Sequence, residues 1–102
     1  MSLATGKSLC IDVLNSLSSA DFILYRMNRA FEISGRFVSD DVIEIEPFER
    51  LIDWRESFLK SDMPNWTGNP DNFSDEMIEA AANLKDNLVL IIIDILEKNA
   101  IP

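Results

Sequence analysis

Apolar residues recur at helical spacing in four segments of the chain, with a turn-rich stretch before the last. From about residue 7 to 17, Cys10, Leu14 and Leu17 share a stripe, with Ile11 alongside. From about 19 to 34, Ala20, Leu24, Met27 and Phe31 line up, flanked by Ile23 and Ala30, and Gly35 is a natural stop. Ser18 and Ser19 are tolerated inside helices, so residues 7–34 are read as one continuous helix. A third segment runs to about Lys60 through Phe48, Leu51, Ile52, Arg55, Phe58 and Leu59, with Pro47 suited to its first position. Residues 61–73, SDMPNWTGNPDNF, carry the Pro, Asn, Asp and Gly of a loop.

The last segment, about 75–98, is the most regular. Met77, Ala81, Leu84, Leu88, Ile91, Ile92 and Ile95 form a broad stripe. The opposite face reads Glu79, Asn83, Asp86, Leu90, Asp94, Glu97, so Leu90 interrupts a narrow polar strip. Around Leu88 to Ile93 the helix is apolar on every side, which requires either a central helix wrapped by its neighbours or a second subunit.

Three serines look like helix N-caps with a hydrophobic staple around them: Ser18 with Leu17 and Phe22, Ser39 with Val38 and Ile43, Ser74 with Phe73 and Ile78. Asp75 and Glu76 after Ser74 also suit the positive end of the helix dipole. Residues 36–46 are ambiguous. Val42-Ile43-Glu44-Ile45-Glu46 alternates like a strand and Pro47 disfavours helical geometry at Glu46, whereas the Ser39 cap favours a short helix. The pattern predicts an all-α fold: a single domain spanning 1–102, built as a small antiparallel bundle of three to four helices with a short irregular or extended stretch near 36–46.

Composition narrows the chemistry. The chain has 102 residues with no His and one Cys, so the usual general base, the commonest zinc ligand and any internal disulfide are missing. No cofactor is expected. The net charge is −9, and it is uneven: residues 40–56 alone hold seven acids against Arg50 and Arg55. Such a surface repels phosphate backbones, so nucleic acid is not an expected partner. An acidic surface either steers a basic protein partner or keeps the chain soluble. No signal sequence is visible near the start, and the apolar run Leu88–Ile93 falls far short of the roughly 20 residues a membrane span needs. A cytoplasmic protein without a membrane partner is expected.

Several motifs have bland readings. Ala4-Thr5-Gly6-Lys7-Ser8 ends like a phosphate-binding loop but lacks the earlier Gly and the leading strand, and reads as a disordered start running into a helix. Asn65-Trp66-Thr67 and Asn72-Phe73-Ser74 match the glycosylation pattern and read as turn chemistry. Cys10 reads as a small core residue. Trp54 lies beside its stripe and Trp66 lies in the loop, so both are interface candidates, together with Leu90 and Ile93.

Carboxylates also pair at one-face helical spacing: Glu46 with Glu49, and Glu76 with Glu79. Facing each other, these four would hold Mg²⁺. The arrangement is similar to the two acidic helix motifs of the all-α nucleotide pyrophosphatases. It departs from them at Ile45 and Pro47, where adjacent Glu would be needed, and at Glu79, where Asp would stand, so the family is not assigned. Cations for a phosphate would be Arg50, Arg55 or Lys85.

Two functions therefore compete. The first is a non-enzymatic interaction or regulatory module, homodimeric through its last helix, such as an adaptor or an inhibitor of a basic enzyme. The second is a Mg²⁺-dependent nucleotide phosphohydrolase using the four glutamates.

Overall fold

The computed structural model describes residues 3–61, 63, 64, 66 and 69–99. The expected all-α fold is found: α1 (Leu3–Leu17), α2 (Ile23–Ser34), α3 (Ile45–Lys60) and α4 (Asp75–Asn99), with 3₁₀ turns at Ser39–Asp41 and Pro70–Asn72 and no strand among the described residues. Helix α4 is the central element and packs against α1, α2 and α3, while α1 also packs on α2. Cys10, Val13, Met27, Ala30, Phe58, Ala81, Leu88 and Ile92 are wholly enclosed.

Ala4–Ser8 lie in α1 rather than in a disordered lead-in, and helix 7–34 is not continuous. It breaks between Leu17 and Ile23. Ser18 does not cap α2; its hydroxyl donates to the Leu14 carbonyl at 2.8 Å and closes α1 instead. Ala20 is exposed and lies outside both helices. The break is held by tertiary contacts. Phe22 meets Phe73 edge-to-face at 5.0 Å and Trp66 at 6.0 Å, and Trp66 meets Phe73 at 5.1 Å. This aromatic knot ties the turn after α1 to the loop before α4.

Neither α1 nor α2 carries a basic residue in its last turn, and in each case an arginine from later in the chain supplies the missing charge. The free carbonyls at a helix C-terminus carry partial negative charge. Arg26 donates to the Leu17 carbonyl at 2.9 Å. Arg55 of α3 donates to the Phe31 carbonyl and, at 2.7 Å, to Ser34 Oγ, and its guanidinium lies 3.9 Å above the Phe31 ring. Gly35 ends α2 as expected, in a right-handed conformation with φ −71°. A Cβ there would stand 2.8 Å from an Arg55 terminal nitrogen.

The ambiguous stretch 36–46 resolves as a 3₁₀ turn followed by extended backbone and the start of α3. Val38 and Ile43 stay exposed, so no staple forms around Ser39. The cap is the Asp41 carboxylate, which accepts the Val38 N–H at 3.0 Å. Helix α3 begins at Ile45, so Glu46 is helical and Pro47 occupies the third position, where its missing N–H leaves no ladder bond unmade. Ser74 caps α4 as expected, accepting the Met77 N–H at 3.2 Å.

The buried faces of α1 and α3 are rotated from those expected. Leu9, Cys10, Val13 and Leu17 are buried and Ile11 is exposed. On α3 the core face is Pro47, Leu51, Trp54 and Phe58, while Ile52 and Leu59 face solvent.

Candidate functional site

The register of α3 against α4 sets the main surface feature. Arg50 bonds Asp94, Lys98 reaches Glu44 at 3.7 Å, and the Trp54 indole N–H donates to the Leu84 carbonyl at 2.8 Å. As numbers rise along α3 they fall along α4, so the helices are antiparallel. Trp54 is also stacked on Phe58 at 5.4 Å. Only 4% of Trp54 is exposed, and it joins the two helices through the Leu84 carbonyl.

Beside this seam lies an open groove of about 350 Å³, lined by Arg50, Trp54, Leu84, Asn87, Leu90 and Ile91, among others. Leu90 stands at its rim with 65% of its surface exposed, and Ile93 follows at 37%. Three neighbours thus do not cover α4, and the apolar residue that interrupts its polar strip is left outside. Trp66 is half-buried in the aromatic knot. Asn65 and Thr67 lie outside the described residues, and Asn72 ends a 3₁₀ turn.

The four glutamates do not converge. Glu46 belongs to the end of α3 where Arg50 meets Asp94, and pairs with Arg50 at 3.7 Å. Glu76 lies at the other end of α3, lining a shallow depression with Ser61, Met63, Met77 and Ala80. Glu46 and Ser61 are separated by fifteen residues, or roughly 22 Å of helix at 1.5 Å per residue. Among the described residues no group of three or more acids and cysteines is placed to hold a metal ion. Two of the three expected phosphate cations are committed as well, Arg50 to Glu46 and Asp94 and Arg55 to the end of α2. The Mg²⁺ arrangement is therefore corrected: two pairs each share a helix face, but the faces do not meet.

Cys10 is fully enclosed, and burial pushes its thiol up to about 12, so it is no nucleophile at neutral pH. Among the described residues no helix is long and apolar enough to cross a membrane.

One polar cluster had no sequence expectation. Asn99, near the end of α4, donates through Nδ2 to the Asp41 carbonyl at 2.7 Å and accepts the Ile43 N–H on Oδ1 at 3.1 Å. Gly6 of α1 lies directly against the same carbonyl. Gly6 is thus explained by close backbone approach and not by a phosphate loop. A glycine inside a helix was the available signal; nothing distinguishes Asn99 in the sequence.

No family model matches the chain, and no curated protein or solved structure matches it either. Fold and surface together define the class: a small, acidic, all-α protein, with four α-helices among the described residues, an open α3–α4 groove and an apolar residue at its rim.

Proposed function

We propose that the chain is a non-enzymatic protein–protein interaction module that works as a homodimer through the outer face of α4. The observation that carries this reading is Leu90, 65% exposed in the middle of the longest helix and beside an open groove. In a two-fold contact between antiparallel α4 helices centred on Leu90, each Leu90 enters the groove of the other copy. Position 86 of one helix then meets position 94 of the other. This sets Asp86 against Asp94 of the second copy, and the Arg50 that pairs with that Asp94 offsets part of the added negative charge. The acidic surface suits a basic protein as the further partner.

Light scattering after gel filtration tests the dimer. The wild type is expected at twice the chain mass. Leu90→Glu removes two apolar side chains from the contact and adds two like charges. It weakens association by at least about 3 kcal/mol, more than a hundredfold in Kd, and yields a single-chain mass. A wild type that stays monomeric at tens of micromolar, or a Leu90→Glu variant of unchanged mass, refutes the dimer.

A further inference from the structure

Helix α3 carries a second uncovered apolar line, on the side away from the groove. Ile45, Ile52 and Leu59 are spaced seven apart and are 51%, 43% and 55% exposed. Residues at that spacing fall almost on one line along a helix, here roughly 21 Å long from first to last. Helix α4 meets α3 at Arg50 and Trp54, and α2 meets it at Arg55 and Phe58. The line lies on the remaining side. Glu49 and Glu56, again seven apart, run beside it toward solvent, with Glu46 and Asp53 behind them. Among the described residues Glu49, Asp53 and Glu56 form no ion pair, and all three are exposed.

The charge pattern selects the occupant. A second copy packing stripe on stripe in two-fold antiparallel fashion keeps both acid rows on one side. Glu49 of one copy then meets Glu56 of the other, acid to acid. A parallel pairing runs into the α2 side, which the fold already covers. A helix of the opposite charge has neither problem. Apolar residues at heptad spacing would lie along Ile45, Ile52 and Leu59, and Lys or Arg beside them would lie along Glu49 and Glu56.

We infer that this face of α3 is the docking strip for an amphipathic helix of a basic protein partner. The inference rests on the interaction-module reading and supplies the chemistry of its partner, while using a face distinct from the proposed dimer contact.

The test uses three fluorescein-labelled synthetic peptides in anisotropy titrations against the full chain at two salt concentrations. One is an amphipathic helix with Leu at heptad spacing flanked by Lys; the second scrambles its order; the third replaces Lys with Glu. The first is expected to bind at least about tenfold more tightly than the other two. Ile52→Ser with Leu59→Ser weakens that binding about tenfold or more. Glu49→Gln with Glu56→Gln weakens it several-fold and flattens its salt dependence. All four positions are exposed, and a circular dichroism melt confirms that the variants fold.

Equal binding of the scrambled peptide, no binding of the basic amphipathic peptide at millimolar concentration, or indifference to both variants overturns the strip. So does a fall in oligomeric mass in Ile52→Ser with Leu59→Ser, which would make the stripe a self-contact. The Leu90→Glu variant separates this inference from the dimer. Peptide binding retained in a monomeric variant supports the strip. Failure of all three peptides with the dimer intact removes the strip alone.

Discussion

Replacing Gly6 by Ala sets local propensity against tertiary contact. Gly6 lies inside α1, so on helix propensity alone the substitution stabilises by about 1 kcal/mol. The structure predicts the opposite sign. A Cβ at position 6 would come well inside van der Waals contact with the Asp41 carbonyl oxygen and stand 2.8 Å from Asn99 Nδ2. The first obstacle is backbone and cannot swing aside. Overpacking of this kind costs about 1–3 kcal/mol. Pushing Asp41 away also strains the bonds from Asn99 to Asp41 and from Ile43 to Asn99, worth about 1 kcal/mol each. Subtracting the propensity gain leaves a net loss of about 2–4 kcal/mol, which for a domain of this size lowers Tm by roughly 10 °C or more. Urea unfolding followed by circular dichroism at 222 nm measures it. Asn99→Ala is the companion, and the double variant should fall short of additivity by about 1 kcal/mol because both changes strike one contact. An unchanged or raised urea midpoint in Gly6→Ala would refute the packing of α1 on the 39–41 turn.

Two further outcomes follow from Arg55 and Cys10. Arg55→Ala uncovers Phe31 and leaves the end of α2 without its cation, costing about 2–3 kcal/mol in the same unfolding assay, and Arg55→Lys restores only part because the planar stack is lost. For Cys10, burial raises the folded thiol above its ordinary 9.0 to about 12, so the folded state keeps its proton longer than the unfolded state does. Stability is fully present below the ordinary value and falls as pH rises toward 12, by up to about 1.4 kcal/mol per pH unit. The difference between wild type and Cys10→Ala should vanish its slope below pH 9 and show it above; equal slopes throughout would refute the burial of Cys10.

The parts of the fold that were legible in the sequence are those where local chemistry and packing agree. Ser74, the acids after it and the stripe from Ala81 to Ile95 all point to one helix, and α4 is where they place it. The break at 18–22 was not legible, because Ser-Ser-Ala-Asp-Phe contains nothing that forbids a helix. It is imposed by Phe22 packing on Phe73 and Trp66, residues some fifty positions away. The core face of α3 was misplaced for a related reason. Phe48, Leu51, Ile52, Trp54, Phe58 and Leu59 spread apolar surface over most of the helix, and periodicity alone cannot choose the arc that is buried. The choice falls to α4, whose Leu84 carbonyl takes the Trp54 indole and so turns Ile52 and Leu59 outward.

The carboxylates show the same boundary between local and tertiary information. Spacing of three or four places two acids on one face of their own helix. Whether two such faces meet depends on helix register, here fixed by Arg50 with Asp94 and Trp54 with Leu84, and that register sends the pairs to opposite ends. The apolar residues left outside have a simpler origin. The molecule extends 47 × 25 × 18 Å, and its least dimension is less than two helix diameters of roughly 10–12 Å. In so thin a body a helix that is apolar all round must leave one side uncovered. Of the two ways to enclose Leu88–Ile93, a wrapping by its own neighbours is thereby left incomplete, with Leu90 and Ile93 outside it.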